Sequence, residues 1–170
     1  MARLLIVWWS MTGGTRQLAK AAADGARRQA ALPDQAVAVD VSLLAAEHAG
    51  APDVLDADGY LFATPENLGS MAGMMKDFFD RTYYPALERV AGRPWAAIVC
   101  AGSDGQGAAR QLERIATGWR LRRVAEPLIV ITHAQTPEAI LAPKIIPGAQ
   151  LEQAAELGAG LAAGLALGIW

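Results

Sequence analysis

Leu4-Leu5-Ile6-Val7-Trp8-Trp9-Ser10-Met11-Thr12-Gly13-Gly14-Thr15 opens on six apolar residues in succession, which stop abruptly in a run of hydroxyls and glycines. Six apolar positions without alternation read as a strand buried on both faces, the habit of a parallel sheet. From Thr15 to Ala31 the pattern becomes helical, with Arg16, Lys20, Asp24, Arg27 and Arg28 setting the polar side, and Pro33 ends it. A buried strand, a short polar turn and an amphipathic helix make one βα unit. The apolar run is shorter than the core of a signal peptide and leads straight into the turn, so it is read as a first strand.

Working outward, the same unit recurs, for five in all. Val37 to Val41 predicts a short second strand, followed by a ragged helical connection from Ser42 to Val54 that Gly50 and Pro52 interrupt. Tyr60 to Ala63 is the third strand, and Met71 to Tyr84 a helix whose buried stripe is Met71, Met74, Met75, Phe78 and Phe79. Trp95 to Ala101 and Gly107 to Trp119 form the fourth unit, with Leu112, Ile115, Ala116 and Trp119 inward. Arg123 to Thr132 is the fifth strand. His133 to Gly148 carries three prolines and reads as an extended loop before a last helix, Ala149 to Leu167. The fold expected is α/β: a five-stranded parallel sheet in the order 2-1-3-4-5, helices on both faces, and a ligand crevice between strands one and three where the winding reverses.

Composition agrees. The 170 residues suit one domain spanning 1–170 and can bury a core without disulfides or metals. Hydrophobic residues make up 53% and charged residues 19%, which excludes a disordered chain. A formal net charge of −2 leaves no broad basic field, so nucleic acid is not an expected partner. Cys100 is the single cysteine, compatible with a reducing cytoplasmic setting. The apolar tail from Leu157 to Trp170 is too short and too glycine-rich to span a bilayer and reads as a packed helix, with a homodimer contact as one use for it.

Three loops at one end of the predicted sheet carry the chemistry. Ser10, Met11, Thr12, Gly13, Gly14 and Thr15 offer hydroxyls and backbone amides at a helix start, where a phosphate fits; an ordinary turn capped by Thr12 or Thr15 is the alternative. No lysine follows as in a Walker loop, and no Gly-x-Gly-x-x-Gly is present, which favours a monophosphate. Thr64, Pro65, Glu66, Asn67, Leu68, Gly69 and Ser70 form the second loop, able to read the edge of a flat heterocycle or simply to cap a helix through Ser70. Ala101, Gly102, Ser103, Asp104, Gly105 and Gln106 form the third, otherwise plain turn chemistry. Their co-location at one sheet end is what a packing-only account does not require.

These residues resemble a family. Ser10-x-Thr12-Gly13-x-Thr15 after the first strand looks like the FMN phosphate loop of flavodoxins. Pro65, Gly69, Met71, Gly73, Met75 and Lys76 resemble the flavin loop of flavodoxin-like NAD(P)H-dependent quinone reductases, and Pro65-Glu66, Gly69-Ser70, Gly73 and Lys76 that of the FMN reductases. The tyrosine-asparagine pair usual after Pro-Glu in the FMN reductases is Asn67-Leu68 here. The resemblance implies a flavodoxin-like three-layer sandwich holding FMN, with the first loop on the phosphate, Pro65 to Ser70 along the isoalloxazine and Gly102 to Gln106 closing its other side.

The implied activity is FMN-dependent transfer of reducing equivalents from NAD(P)H to a quinone, flavin or similar small acceptor. No side chain is assigned as catalytic, because the flavin N5 carries the hydride step. A flavodoxin-type single-electron carrier and a non-catalytic FMN-binding module are the alternatives; carriers are usually strongly acidic, and the near-neutral charge argues for the enzyme. Lys76 is either near substrate or a solvated charge, and His133 either faces the acceptor or is an exposed loop histidine. Trp8 and Trp9 must point to opposite faces of the sheet, which excludes a shared flavin sandwich. Cys100 is expected to be buried and inert.

Overall fold

The computed structural model describes residues 1–33 and 35–170. The elements run β1 (Ala2–Trp8), α1 (Gly14–Ala30), β2 (Val39–Ala45), α2 (Ala51–Asp56), β3 (Gly59–Asn67), β4 (Ser70–Met71), α3 (Gly73–Ala86), β5 (Pro94–Ala101), α4 (Gln106–Gly118), β6 (Arg122–Arg123), β7 (Leu128–Ile131), α5 (Pro137–Leu141) and α6 (Gly148–Leu167). Strand order is β2-β1-β3-β5, with β6 and β7 sharing the outer flank of β5. All these pairings are parallel; only the short β4 is antiparallel, folded back on the end of β3.

The expected winding is therefore present, with two corrections of detail. The sheet has seven strands rather than five. One addition is β4; the other arises because the expected fifth strand is split. Two residues of β5, Ala96 and Ala97, face four, from Val124 to Pro127, and Pro127 has no N–H to give the ladder. The second correction is the stretch from Ser42 to Ala45, expected from sequence to begin a helical connection. It extends β2, pairing Leu5 with Ser42 through Trp8 with Ala45. Long-range pairing with β1 overrides the helical preference of Leu43-Leu44-Ala45.

Side-chain alternation splits the interior in two. Leu5, Val7, Tyr60, Phe62, Trp95, Ala97 and Val99 face α3 and α4, where Phe78, Phe79 and Trp119 join them in an aromatic cluster. Phe62 lies at its centre, with ring centroids 5.0 Å from Phe79, 6.2 Å from Phe78 and 6.5 Å from Trp119. Leu4, Ile6, Leu61, Ala63, Ala96, Ile98 and Cys100 face α1 and α6. Trp8 packs on this second side and Trp9 on the first, as their adjacency requires.

The two helices of the second side meet through small residues. A Cβ at Gly25 would run into the Ala155 carbonyl, and one at Gly158 into the Ala22 carbonyl, so the backbones touch where no side chain fits. That contact holds α1 close to the sheet and fixes where its first turn points. Gly158→Ala separates two effects of opposite sign: in an exposed helix alanine adds about 1 kcal/mol, whereas overpacking this contact costs about 1–3 kcal/mol. The expected result is a lower urea midpoint than wild type, measured by circular dichroism.

Candidate functional site

The carboxyl ends of β1, β3, β5 and β7 surround a cleft of about 520 Å³. Ser10, Met11, Thr12, Gly14 and Thr15 line it from the first loop, Pro65 to Gly69 from the second, and Cys100 to Ser103 from the third. A fourth segment, not assigned from sequence, adds Thr132, Ala134, Ile140 and Lys144.

In the first loop the Ser10 hydroxyl accepts a hydrogen bond from the Gly13 amide at 3.0 Å, and Gly13 turns with φ of +91° to start α1. Gln17 N–H to the Gly13 carbonyl is the first helical bond, so the amides of Gly14, Thr15 and Arg16 have no partner within the helix. Thr15 is 1% exposed and its Oγ1 is buried without a hydrogen-bond partner among the described residues. Gly14 is packed so tightly that a Cβ would lie 2.9 Å from Cys100 Sγ. Gln17 locks the loop to the fourth segment: its Nε2 donates to the carbonyls of Gly13 and Lys144 at 2.9 and 2.7 Å, and its Oε1 accepts from Ile146 N–H at 3.1 Å.

The second loop is a β-hairpin. Glu66 pairs with Met71 and Asn67 with Ser70, leaving Leu68-Gly69 as the turn. Thr64 is fully buried behind the lining, its hydroxyl accepting from Ala72 N–H at 3.1 Å. Glu66 braces the structure, because its carboxylate accepts from the amides of Gly105 at 2.9 Å and Ala108 at 3.1 Å and so sits on the positive end of α4. The Gln111 side chain binds the Met71 amide at 2.8 Å, and a Cβ at Gly107 would strike the Gly69 carbonyl. The hairpin is thus held rigidly against α4.

This bracing determines which expected residues reach the cleft. Gly13 shapes the first loop from outside the lining, and Thr64 and Ser70 brace the hairpin. Of the third loop, Ala101, Gly102 and Ser103 line the cleft. Asp104, Gly105 and Gln106 instead lead into α4, whose first turn Glu66 already occupies. Lys76 lies outside the lining and pairs with Asp80 at 2.6 Å; His133 is exposed with φ of +59° and also lies outside it.

Lys144 is the lysine that sequence reasoning missed. Its ammonium donates to the carbonyls of Ala139, Ile140 and Ala142 at 2.8, 2.9 and 2.6 Å, stopping α5 and folding the segment over the cleft. The available signal was the position of this proline-bearing loop after the last strand, at the same sheet end as the others. Cys100 is 7% exposed, and burial pushes its thiol pKa up, against the opposing pull of the Lys144 charge and of the neighbouring Thr15 hydroxyl, which lies beside the sulfur without meeting hydrogen-bond geometry.

The family described as NADPH-dependent FMN reductase matches residues 9–136. The chain belongs to this family. Among curated relatives, it is 36% identical over 95 residues to an NAD(P)H dehydrogenase (quinone) of Acidithiobacillus ferrooxidans, covering 48% of either chain. It is 35% identical over 106 residues to an NAD(P)H dehydrogenase (quinone) of Archaeoglobus fulgidus, covering 52% of this chain and 56% of that one. The matched region thus spans about half the length of these relatives. A solved structure of a flavodoxin from the domain Archaea superposes with a TM-score of 0.73 over 96% of this chain and 98% of that one, at 15% identity. The fold is flavodoxin-like, as the sequence implied.

Two outcomes follow from the geometry. Glu66→Ala strips the cap from α4 and is expected to cost about 1 kcal/mol of stability, read as a lower urea midpoint. Cys100, kept protonated by burial, is expected to react with iodoacetamide at pH 8 at least about tenfold more slowly in the native protein than in urea.

Proposed function

We propose that this chain binds FMN in the cleft and passes reducing equivalents from NAD(P)H to a quinone, flavin or similar small acceptor. The observation that carries the reading is the start of α1. Amides at Gly14, Thr15 and Arg16 and the buried Thr15 hydroxyl, all without a hydrogen-bond partner among the described residues, lie where a helix dipole favours an anion. A buried hydroxyl without a partner costs free energy unless a ligand completes it.

The residues present fit a flavin mononucleotide. The amide-and-hydroxyl cradle suits a monophosphate, and Lys144, the one lysine or arginine in the described lining, already has its ammonium committed to carbonyls. Pro65 to Gly69 and Gly102-Ser103 give two facing walls whose backbone groups can meet the edge of a planar ring. Bound FMN would supply the hydride chemistry that no side chain of the cleft provides.

On this reading Ser10, Thr12 and Thr15 donate hydroxyls to the phosphate, while Gly13 and Gly14 let the backbone approach it. Glu66 positions the hairpin by holding α4, and Gln17 positions the fourth segment. The buried floor formed by Cys100 and Ala101 keeps water from one side of the cleft. The family match and the names of the curated relatives support both the cofactor and the nicotinamide donor.

Replacing Thr12 and Thr15 together by alanine tests the reading. The variant is expected to keep its circular dichroism spectrum and to lose FMN affinity by about tenfold or more, as loss of two hydrogen bonds to a charged group implies. Wild-type protein loaded with FMN is expected to oxidise NADH or NADPH when a quinone is supplied, followed by the loss of nicotinamide absorbance. Unchanged FMN affinity in the folded double variant would remove the first loop from the site.

A further inference from the structure

Leu68 occupies a backbone conformation that its side chain disfavours. The hairpin of β3 and β4 reverses in two residues, Leu68 and Gly69, with φ of +52° and +74°, the two positive values a type I′ turn requires. Asparagine or aspartate followed by glycine fills such turns with little strain, whereas a branched apolar side chain does not. Packing within the chain does not compensate, because Leu68 is fully exposed at 105%. It nevertheless lines the cleft.

Two other large apolar side chains share this placement. Met11 from the first loop and Ile140 from α5 are 44% and 41% exposed, and both line the same cleft. The charged groups beside them are committed elsewhere: the Lys144 ammonium to three carbonyls, the Glu66 carboxylate to two amides of α4. Two loops and α5 thus bring apolar groups to one mouth, and both charged side chains of its described lining already hold hydrogen-bond partners.

We propose that Leu68 determines the class of acceptor, forming with Met11 and Ile140 an apolar collar that admits uncharged aromatic molecules and disfavours anionic ones of the same shape. The inference rests on the FMN reading and adds the chemistry of the second substrate and the residue that selects it. An anion entering the collar gives up water and meets apolar groups, with the Lys144 ammonium turned onto carbonyls rather than offered to it, while an uncharged ring gains the apolar contact. The strained turn persists because it holds the leucine at the mouth.

Leu68→Asn creates Asn-Gly, the preferred pair for this turn, and separates strain from selection. In the flavin-free protein it is expected to raise the urea midpoint above wild type. With FMN-loaded, oxidised protein and no reductant, equilibrium dialysis compares 2-naphthamide with 2-naphthoate, rings of one shape differing in charge. Wild type is expected to prefer the amide, Leu68→Asn to lose about fivefold of that preference, and Leu68→Met to retain it. An unchanged preference in Leu68→Asn, with FMN still bound, overturns the inference and leaves the cofactor reading standing. Failure of wild type to take up FMN defeats both. Conversion of a dimer to a monomer by Leu68→Asn on sedimentation, with preference unchanged, makes the leucine a subunit contact and also overturns it.

Discussion

Parallel pairing of β1 with β2 on one flank and β3 on the other is the constraint from which the rest follows. A strand so placed is buried on both faces and can be reached again only by crossovers, so every strand of this parallel core delivers its chain to the same end. Winding proceeds in opposite directions from β1 and β3, which leaves their two loops without a helix between them. The cleft lies in that gap. Its position is a property of topology before any side chain is chosen.

Side chains then decide what the cleft can hold. On one face of the sheet Phe62, Phe78, Phe79 and Trp119 fill the space under α3 and α4 with rings. On the other, glycines and alanines let α1 and α6 come into backbone contact. The small-residue face brings the first turn of α1 up against β5, so that Gly14 touches Cys100 and Thr15 is buried with its hydroxyl unpaired among the described residues. The aromatic face supports α4, which Glu66 ties to the hairpin. One helix start is left open to a ligand and the other is closed by a carboxylate of the chain itself. Both are helix N-termini beside one cleft, and Glu66 is the difference between them.

What the sequence revealed and what it hid divide along the same line. The first loop was legible because strand, turn and helix follow one another within a dozen residues, and the glycine and hydroxyl positions carry their meaning locally. The winding was legible because apolar runs recur with helical segments between them. The length of β2 was not, since Leu43 and Leu44 suit a helix until β1 pairs with them. Glu66 was legible as part of a loop on the cleft, which it lines, but not as the brace of α4, because its partners, Gly105 and Ala108, lie about 40 residues away. Ile140 and Lys144 escaped notice altogether, because the Gln17 side chain that draws their segment over the cleft reaches 127 residues along the chain to do so.

On the reading proposed above, the cleft holds its ligand by a phosphate at the start of α1. Isothermal titration of the flavin-free protein with FMN and with riboflavin, which differ by that phosphate alone, tests it most directly. FMN is expected to bind about a hundredfold more tightly, the contribution of two or more hydrogen bonds to a charged group. Equal affinities for the two flavins would contradict the claim, and the unpartnered hydroxyl and amides of the first loop would then need another ligand.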